Sequence, residues 1–443
     1  MLRDDWLAEL SEFLRIPSVS ADPTRADAVR RAAGWVAEYV TRLGGTAEIL
    51  EDGRLVDAEI RASTGDDAPT VLAYGHYDVQ PPDPFELWES EPFEPTVRGE
   101  WLYARGVADD KGQLWMQLKA AEELVGEGRL PVHLRFVCDG EEESDGDSVG
   151  RFVERDARGA DAAVAMDGWM KRWGRPELVT ATRGIVAAEV ELRTGDRDLH
   201  SGHYGGTALN AIHALAQALT ALFPRDGRLP EPLRQGIVPP GREELESWRA
   251  MPPGDEELGR VGAKPLDPRA ADEFYVRTWA EPSVDVTAIL GGKPGLRNTT
   301  VVSRAYAQVT VRITPGQDPA VIGAALERLL RDAAPEGSEL TVELSGGPAG
   351  VVAREGPVLE AGVRALERVF GVRPLVVRVG GTLPIVPSLA AAGIPTLMVG
   401  MATPDCNTHS PNERMLLEAF PTGVAAAREL YVELGSALRR APA

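Results

Sequence analysis

Helix and strand signals alternate through the first third of this chain, give way near Gly184 to a different texture, and return after Pro374. That interrupted alternation limits the fold more than any other feature. Trp6, Leu7, Leu10, Phe13 and Leu14 recur at helical spacing up to Pro17, and Val29, Ala33, Val36, Val40 and Leu43 form a second stripe closed by Gly44-Gly45. Short apolar runs at 70–74, 132–138 and 162–166 read as strands, with a helix expected over 114–124. Strands alternating with helices predict an α/β domain, a mostly parallel sheet flanked by helices. From Gly184, Val186, Ala188, Val190 and Leu192 alternate with polar residues, and Val301, Tyr306, Val309, Val311 and Ile313 follow less cleanly, as in half-solvated antiparallel strands. With helices expected over 319–333 and 357–370, this middle stretch reads as an α+β domain interrupting the first. A Pro-, Gly- and Glu-rich insertion lies within it, at roughly 224–282. The expected division is therefore 1–183 with 376–443, and 184–375.

Composition excludes several function classes. Among 443 residues, 47 Lys and Arg face 68 Asp and Glu, a net charge of −21, so neither nucleic acid nor an anionic membrane is an expected partner. No apolar stretch is long enough for a membrane span, and the start, Met1-Leu2-Arg3-Asp4-Asp5-Trp6, lacks the apolar segment of a secretory signal. Cys138 and Cys406 cannot form a disulfide framework, and a cytoplasmic location is expected.

The chemistry-bearing residues cluster where the strands end. His76 and Asp78 lie just past the run 70–74, and Asp109-Asp110 just before the helix. Glu141-Glu142-Glu143 follow the run 132–138, Asp167 ends the next, and His409 lies beyond an apolar run at 396–399. In open α/β sheets, sites form beyond the carboxyl ends of strands. Carboxylates converging there without interleaved Lys or Arg repel one another, so a cation should hold them. Imidazole with carboxylate is a ligand set for zinc or a similar divalent ion, and shared acidic ligands suit two ions about 3.5–4 Å apart.

Five segments carry a resemblance. Gly75-His76-Tyr77-Asp78-Val79-Gln80-Pro81, Asp109-Asp110-Lys111-Gly112, Glu142-Glu143-Ser144, Asp198-Leu199-His200-Ser201-Gly202 and Gly380-Gly381-Thr382-Leu383-Pro384 resemble, in family order, the co-catalytic zinc metallopeptidases that include aminoacylase, carnosinase, acetylornithine deacetylase and succinyl-diaminopimelate desuccinylase. The nearest branch is that of the carnosinase-like dipeptidases. The resemblance implies a catalytic α/β domain interrupted by a lid that also mediates homodimerisation. It implies two divalent ions, zinc with manganese or cobalt as alternatives. His76 and Asp167 would hold one, Glu143 and His409 the other, and Asp109 both. Anchored on Ser144, the run of three glutamates gives Glu142 as general base, and a shift of one residue would exchange base and ligand. Asp78 would fix the His76 tautomer, and His200 would reach across the dimer to the developing oxyanion. Arg312 would bind the substrate's carboxylate, with Asn298, Gly381 and Thr382 as further contacts. A cis bond is implied between Asp109 and Asp110. The implied activity is hydrolysis of dipeptides or short peptides with a free C-terminal carboxylate, a deacylase of N-acyl amino acids being the alternative.

The remaining candidates read as structural. His133 falls in a strand, His213 in a helix, and His203 beside His200 without a role of its own. Gly146-Asp147-Ser148-Val149-Gly150 matches a nucleophile-elbow pattern, which would make the chain a serine hydrolase. The elbow needs a strand immediately before it, and an acidic run intervenes, so Ser148 is expected to be a helix N-cap.

Overall fold

The computed structural model describes residues 2–439 apart from 145, 294, 296, 297, 353, 354, 382 and 384. Thr382, singled out above, lies outside the described residues. The chain divides into two units, the first comprising Met1–Thr180, Val351–Val377 and Pro384–Ala443, the second Ala181–Gly350 and Arg378–Leu383.

The first unit is built on an eight-stranded sheet, in the order Thr46–Leu50, Leu55–Ile60, His133–Asp139, Thr70–His76, Ala162–Met166, Thr396–Val399, Glu177–Thr182, Leu375–Val379. The four strands from His133–Asp139 to Thr396–Val399 are parallel. Antiparallel neighbours flank them on both sides. His133–Asp139 and Ala162–Met166 are buried at every residue, because helices cover both faces of a parallel sheet, which is why these strands read as unbroken apolar runs. The helix Ala26–Arg42 stops at the predicted glycines, with Gly44 at φ +83°. The helix Lys111–Gly126 starts two residues after Asp109 and buries Trp115 completely against Trp6 and Phe420.

One helix belongs elsewhere than its neighbours in sequence indicate. Pro357–Phe370 packs on Ala419–Ala437 in the first unit. Arg364 donates to Glu433 at 2.8 Å and Arg368 to Glu429 at 2.9 Å across that contact. The chain thus returns to the first unit at Val351, ahead of the strand after Pro374, because an amphipathic stripe specifies a buried face without specifying its partner.

The second unit holds a four-stranded antiparallel sheet, ordered Ser283–Gly291, Arg304–Ile313, Gly184–Arg193, Glu339–Gly347. Val186, Ala188, Val190 and Leu192 face a core shared with the helices Ala211–Leu219 and Pro319–Ala333. In Arg304–Ile313 the buried phase is Ala305, Ala307, Val309, Val311 and Ile313. Tyr306 therefore points to the polar face, and Val301 belongs to a separate two-residue strand paired with Leu199–His200. The insertion is ordered into short helices around Trp248, Tyr275 and Trp279. Buried Arg378 makes a bidentate pair with Glu244 there, at 2.7 and 2.8 Å.

Candidate metal centre

Every residue of this cluster comes from the first unit, and each sits just outside a strand of the parallel sheet or a loop fastened to it. His76 closes Thr70–His76, its backbone N–H donating to Asp110 Oδ2 at 3.1 Å. Its Nε2 lies 2.9 Å from Asp109 Oδ1 and 3.9 Å from Asp167 Oδ2. On the far side of the ring, Nδ1 is 3.1 Å from the Asp78 backbone carbonyl and 3.4 Å from the Asp78 carboxylate. The nearer partner of that nitrogen is thus the carbonyl. The Asp78 carboxylate accepts from Ser20 Oγ at 2.6 Å and from the Glu143 backbone N–H at 3.0 Å. Asp78 therefore orients two of the candidate ligands, one through each of its acceptor groups.

Asp109 stands between the two imidazoles, with Oδ2 3.0 Å from His409 Nε2. Its peptide bond to Asp110 is cis. Glu143 Oε1 lies 3.1 Å from the same His409 nitrogen, while Oε2 accepts from Gln80 at 2.8 Å. Glu143 Oε1 is buried and has no hydrogen-bond partner among the described residues, although that nitrogen is so near. His409 itself sits at φ +58°, in the turn that begins with Asn407 at +54°.

Of the three adjacent glutamates, Glu142 and Glu143 face the cluster and Glu141 does not. Glu141 turns away, accepting from the Ser148 backbone N–H at 2.9 Å and from the Ser148 hydroxyl. Glu142 groups with His76 and Glu143, and its carboxylate has no hydrogen-bond partner among the described residues. Ser148 is the first residue of the helix Ser148–Arg155, with Asp147 at the N-cap, so it is not itself the cap. Its buried hydroxyl serves Glu141, and a 3₁₀ turn, Glu142–Ser144, stands where a nucleophile elbow would need a strand.

Charge in the cluster is poorly balanced. Burial, reinforced by Asp167, Glu143 and Asp109 against the opposing His76, pushes the Glu142 carboxyl up to about 9. Burial likewise takes Asp167 to about 7. Asp109 is held below the ordinary carboxylate range, because His409 and His76 outweigh its burial. Asp109 and Glu143 in turn raise His409 to about 10. These directions describe a site that recruits positive charge. The donor set, imidazole with carboxylate, is of the kind that fits divalent cations. His76, Asp109 and Asp167 form one group and Asp109, Glu143 and His409 a second, the candidate ligand atoms of each lying within 4.8 Å of one another.

The residues proposed to contact the substrate or its oxyanion, His200, Asn298, Arg312 and Gly381, belong to the second unit. His200 ends a short strand, accepts at Nδ1 from the Gly202 N–H at 3.0 Å, and its ring centroid lies 4.7 Å from that of His203, the two rings tilted by 47°. Asn298 accepts from Thr300 at 3.3 Å, and Arg312 sits in register between Ser283 and Ile185. The Gly381 carbonyl accepts from the Arg183 N–H at 3.1 Å. His133 is tied to Ala62 N and Asp66 O and plays a structural part, His213 is exposed, and both cysteines are buried and free. Gln80, which the sequence places in a motif without a role, turns out to hold one oxygen of Glu143. The signal was its spacing of four from His76 past a strand end.

Among the described residues no helix is long and apolar enough to cross a membrane. A family model for Peptidase family M20/M25/M40 matches residues 72–433. A cysteinylglycine-S-conjugate dipeptidase of Corynebacterium striatum is 29% identical over 428 residues, covering 93% of this chain and 91% of that protein. The human Beta-Ala-His dipeptidase is 27% identical over 463 residues, covering 98% and 90%. Among solved structures, an M20 family metallo-carboxypeptidase of Sulfolobus solfataricus is 26% identical with a TM-score of 0.86, over 98% of this chain and 99% of that one. Human carnosine dipeptidase 1 shares the fold at a TM-score of 0.80 and 24% identity, over 98% and 96%.

Proposed function

Because the chain belongs to peptidase family M20/M25/M40, we propose that it is a di-metal hydrolase of dipeptides or short peptides with a free C-terminal carboxylate, with Glu142 as general base. The observation that carries this reading is Asp109, shared between two ligand groups, with the unbonded Glu142 carboxylate beside them. His76 and Asp167 would hold one ion, Glu143 and His409 the other, and Asp109 both. When bound, such ions acidify a water towards a pKa of about 7 and polarise the scissile carbonyl. Glu142, partly buried and without a hydrogen bond of its own, would be kept ionised by the adjacent cations, and so able to take the water's proton and deliver it to the leaving amine. Asp78 keeps the His76 ring in one orientation throughout.

The roles of the second unit rest on motif resemblance. It would serve as lid and dimerisation domain, with His200 donating to the oxyanion of the partner subunit's site. Arg312 would grip the substrate carboxylate with its planar fork, assisted by Asn298, Gly381 and Thr382. A cytoplasmic homodimer completes the proposal.

The relatives named as dipeptidases support peptide over N-acyl substrates. The test is to strip the protein with a chelator, restore zinc, manganese or cobalt separately, and assay dipeptide and N-acyl amino-acid panels side by side. Metal-dependent dipeptide cleavage is expected. Preferential deacylation, or hydrolysis indifferent to chelation, would overturn the reading.

A further inference from the structure

We infer that Glu413 is a positioning residue that sets the spacing of the metal ligands, an inference that rests on the di-metal reading above. Glu413 lies four residues beyond His409 and is fully buried. Its Oε2 accepts from Arg105 Nη1 at 2.7 Å and from the Gly106 N–H at 2.9 Å. Oε1 accepts from the Ala108 N–H at 2.8 Å and the Asp109 N–H at 3.2 Å. Its backbone carbonyl accepts from the Ala104 N–H at 3.2 Å. One residue thus engages five donors along 104–109, the loop that ends in Asp109.

The same hub reaches a third ligand segment. Arg105, as buried as Glu413, donates from Nη2 to the Pro81 carbonyl at 3.2 Å, at the end of the stretch that starts with His76 and holds Asp78 and Gln80. Gly106, at φ +83°, makes the loop possible, since a Cβ there would meet Val79 Cγ1 at 2.5 Å. His76, Asp109 and His409, which lie far apart along the chain, are therefore referred to a single carboxylate. Asp109 is the shared member of both ligand groups, so a shift of its backbone N–H alters the approach to His76 and to His409 together.

A glutamine at this position keeps the shape but presents an NH₂ to a nest of donors, and it leaves Arg105 without its counter-charge. The test titrates Co²⁺ into chelator-treated full-length protein and follows the visible absorption of the bound ion. Wild type is expected to take two equivalents. Glu413→Gln should weaken the second by at least about tenfold, as loss of a ligand-orienting partner typically does. Glu413→Asp, with the charge kept but the reach shortened, should fall between them, and it decides the matter if the glutamine variant does not fold. Leu434→Ala, a buried change in the helix Ala419–Ala437, controls for lost stability, and it should bind both ions as wild type does. Wild-type affinities in a folded Glu413 variant, or equal weakening in the Leu434 control, would overturn the inference. No uptake of Co²⁺ by wild type would overturn the di-metal reading itself.

Discussion

Replacing the three consecutive glutamates one at a time tests the division of labour among them. Glu142 has no hydrogen-bond partner among the described residues, so Glu142→Gln should leave the fold and both ions in place. Loss of a general base lowers kcat by about 10²–10⁴-fold, or roughly 3–5 kcal/mol of barrier at 1.36 kcal/mol per decade. Glu143 Oε1 lies 3.1 Å from His409 Nε2, and Glu143→Gln should remove one ion of the two. Glu141→Gln retains a carbonyl for the Ser148 N–H and hydroxyl, so it should cost about 1 kcal/mol of stability and leave metal and kcat nearly unchanged. The assay is metal content by mass spectrometry beside saturating dipeptide kinetics for all three proteins. If Glu142→Gln loses an ion while Glu143→Gln keeps both, base and ligand are exchanged and the assignment is wrong.

Ser148→Ala should keep its activity and lose about 1–2 kcal/mol of stability, because the buried Glu141 carboxylate loses a donor. Abolished hydrolysis with metal content intact would revive the serine-hydrolase alternative. Glu142→Ala and His200→Ala proteins, each inactive alone, should recover activity when mixed under conditions of proven subunit exchange, if His200 serves the partner subunit. Persistent inactivity would place His200 outside that role. Burial raises the thiol pKa of both Cys138 and Cys406, so alkylation by iodoacetamide at neutral pH should await unfolding. Modification of the native protein at the rate of a free thiol would contradict the buried environment of these two residues.

The sequence makes the candidate ligands legible because strand ends and short motifs are local properties. His76, Asp109, Glu142, Glu143, Asp167 and His409 can each be picked out from a few neighbours, and the structure gathers them. Glu413 could not be. A lone carboxylate past a histidine looks like a solvated turn residue, and only the three-dimensional path of the loop 104–109 reveals its donors. The same limit explains Pro357–Phe370, whose stripe names a buried face but not the surface that buries it. Tyr306 misleads for a different reason. Its aromatic ring passes for core in an alternating strand, although the small Ala305 and Ala307 occupy the buried phase. Chemistry was readable where it depends on adjacent residues, and unreadable where it depends on what the chain meets later.

The position of Thr396–Val399 has a consequence for biosynthesis. This strand lies between Ala162–Met166 and Glu177–Thr182, so a segment synthesised long after both of its neighbours fills the middle of the sheet. Until it arrives, the nascent sheet is split and Ala162–Met166 presents a bare apolar edge, the kind of surface that pairs with other chains. His409 follows only ten residues after Val399, so closure of that gap and delivery of the final ligand are nearly one event. A truncated product ending anywhere before residue 396 would lack both, and would be a sticky fragment for chaperones and proteases to clear.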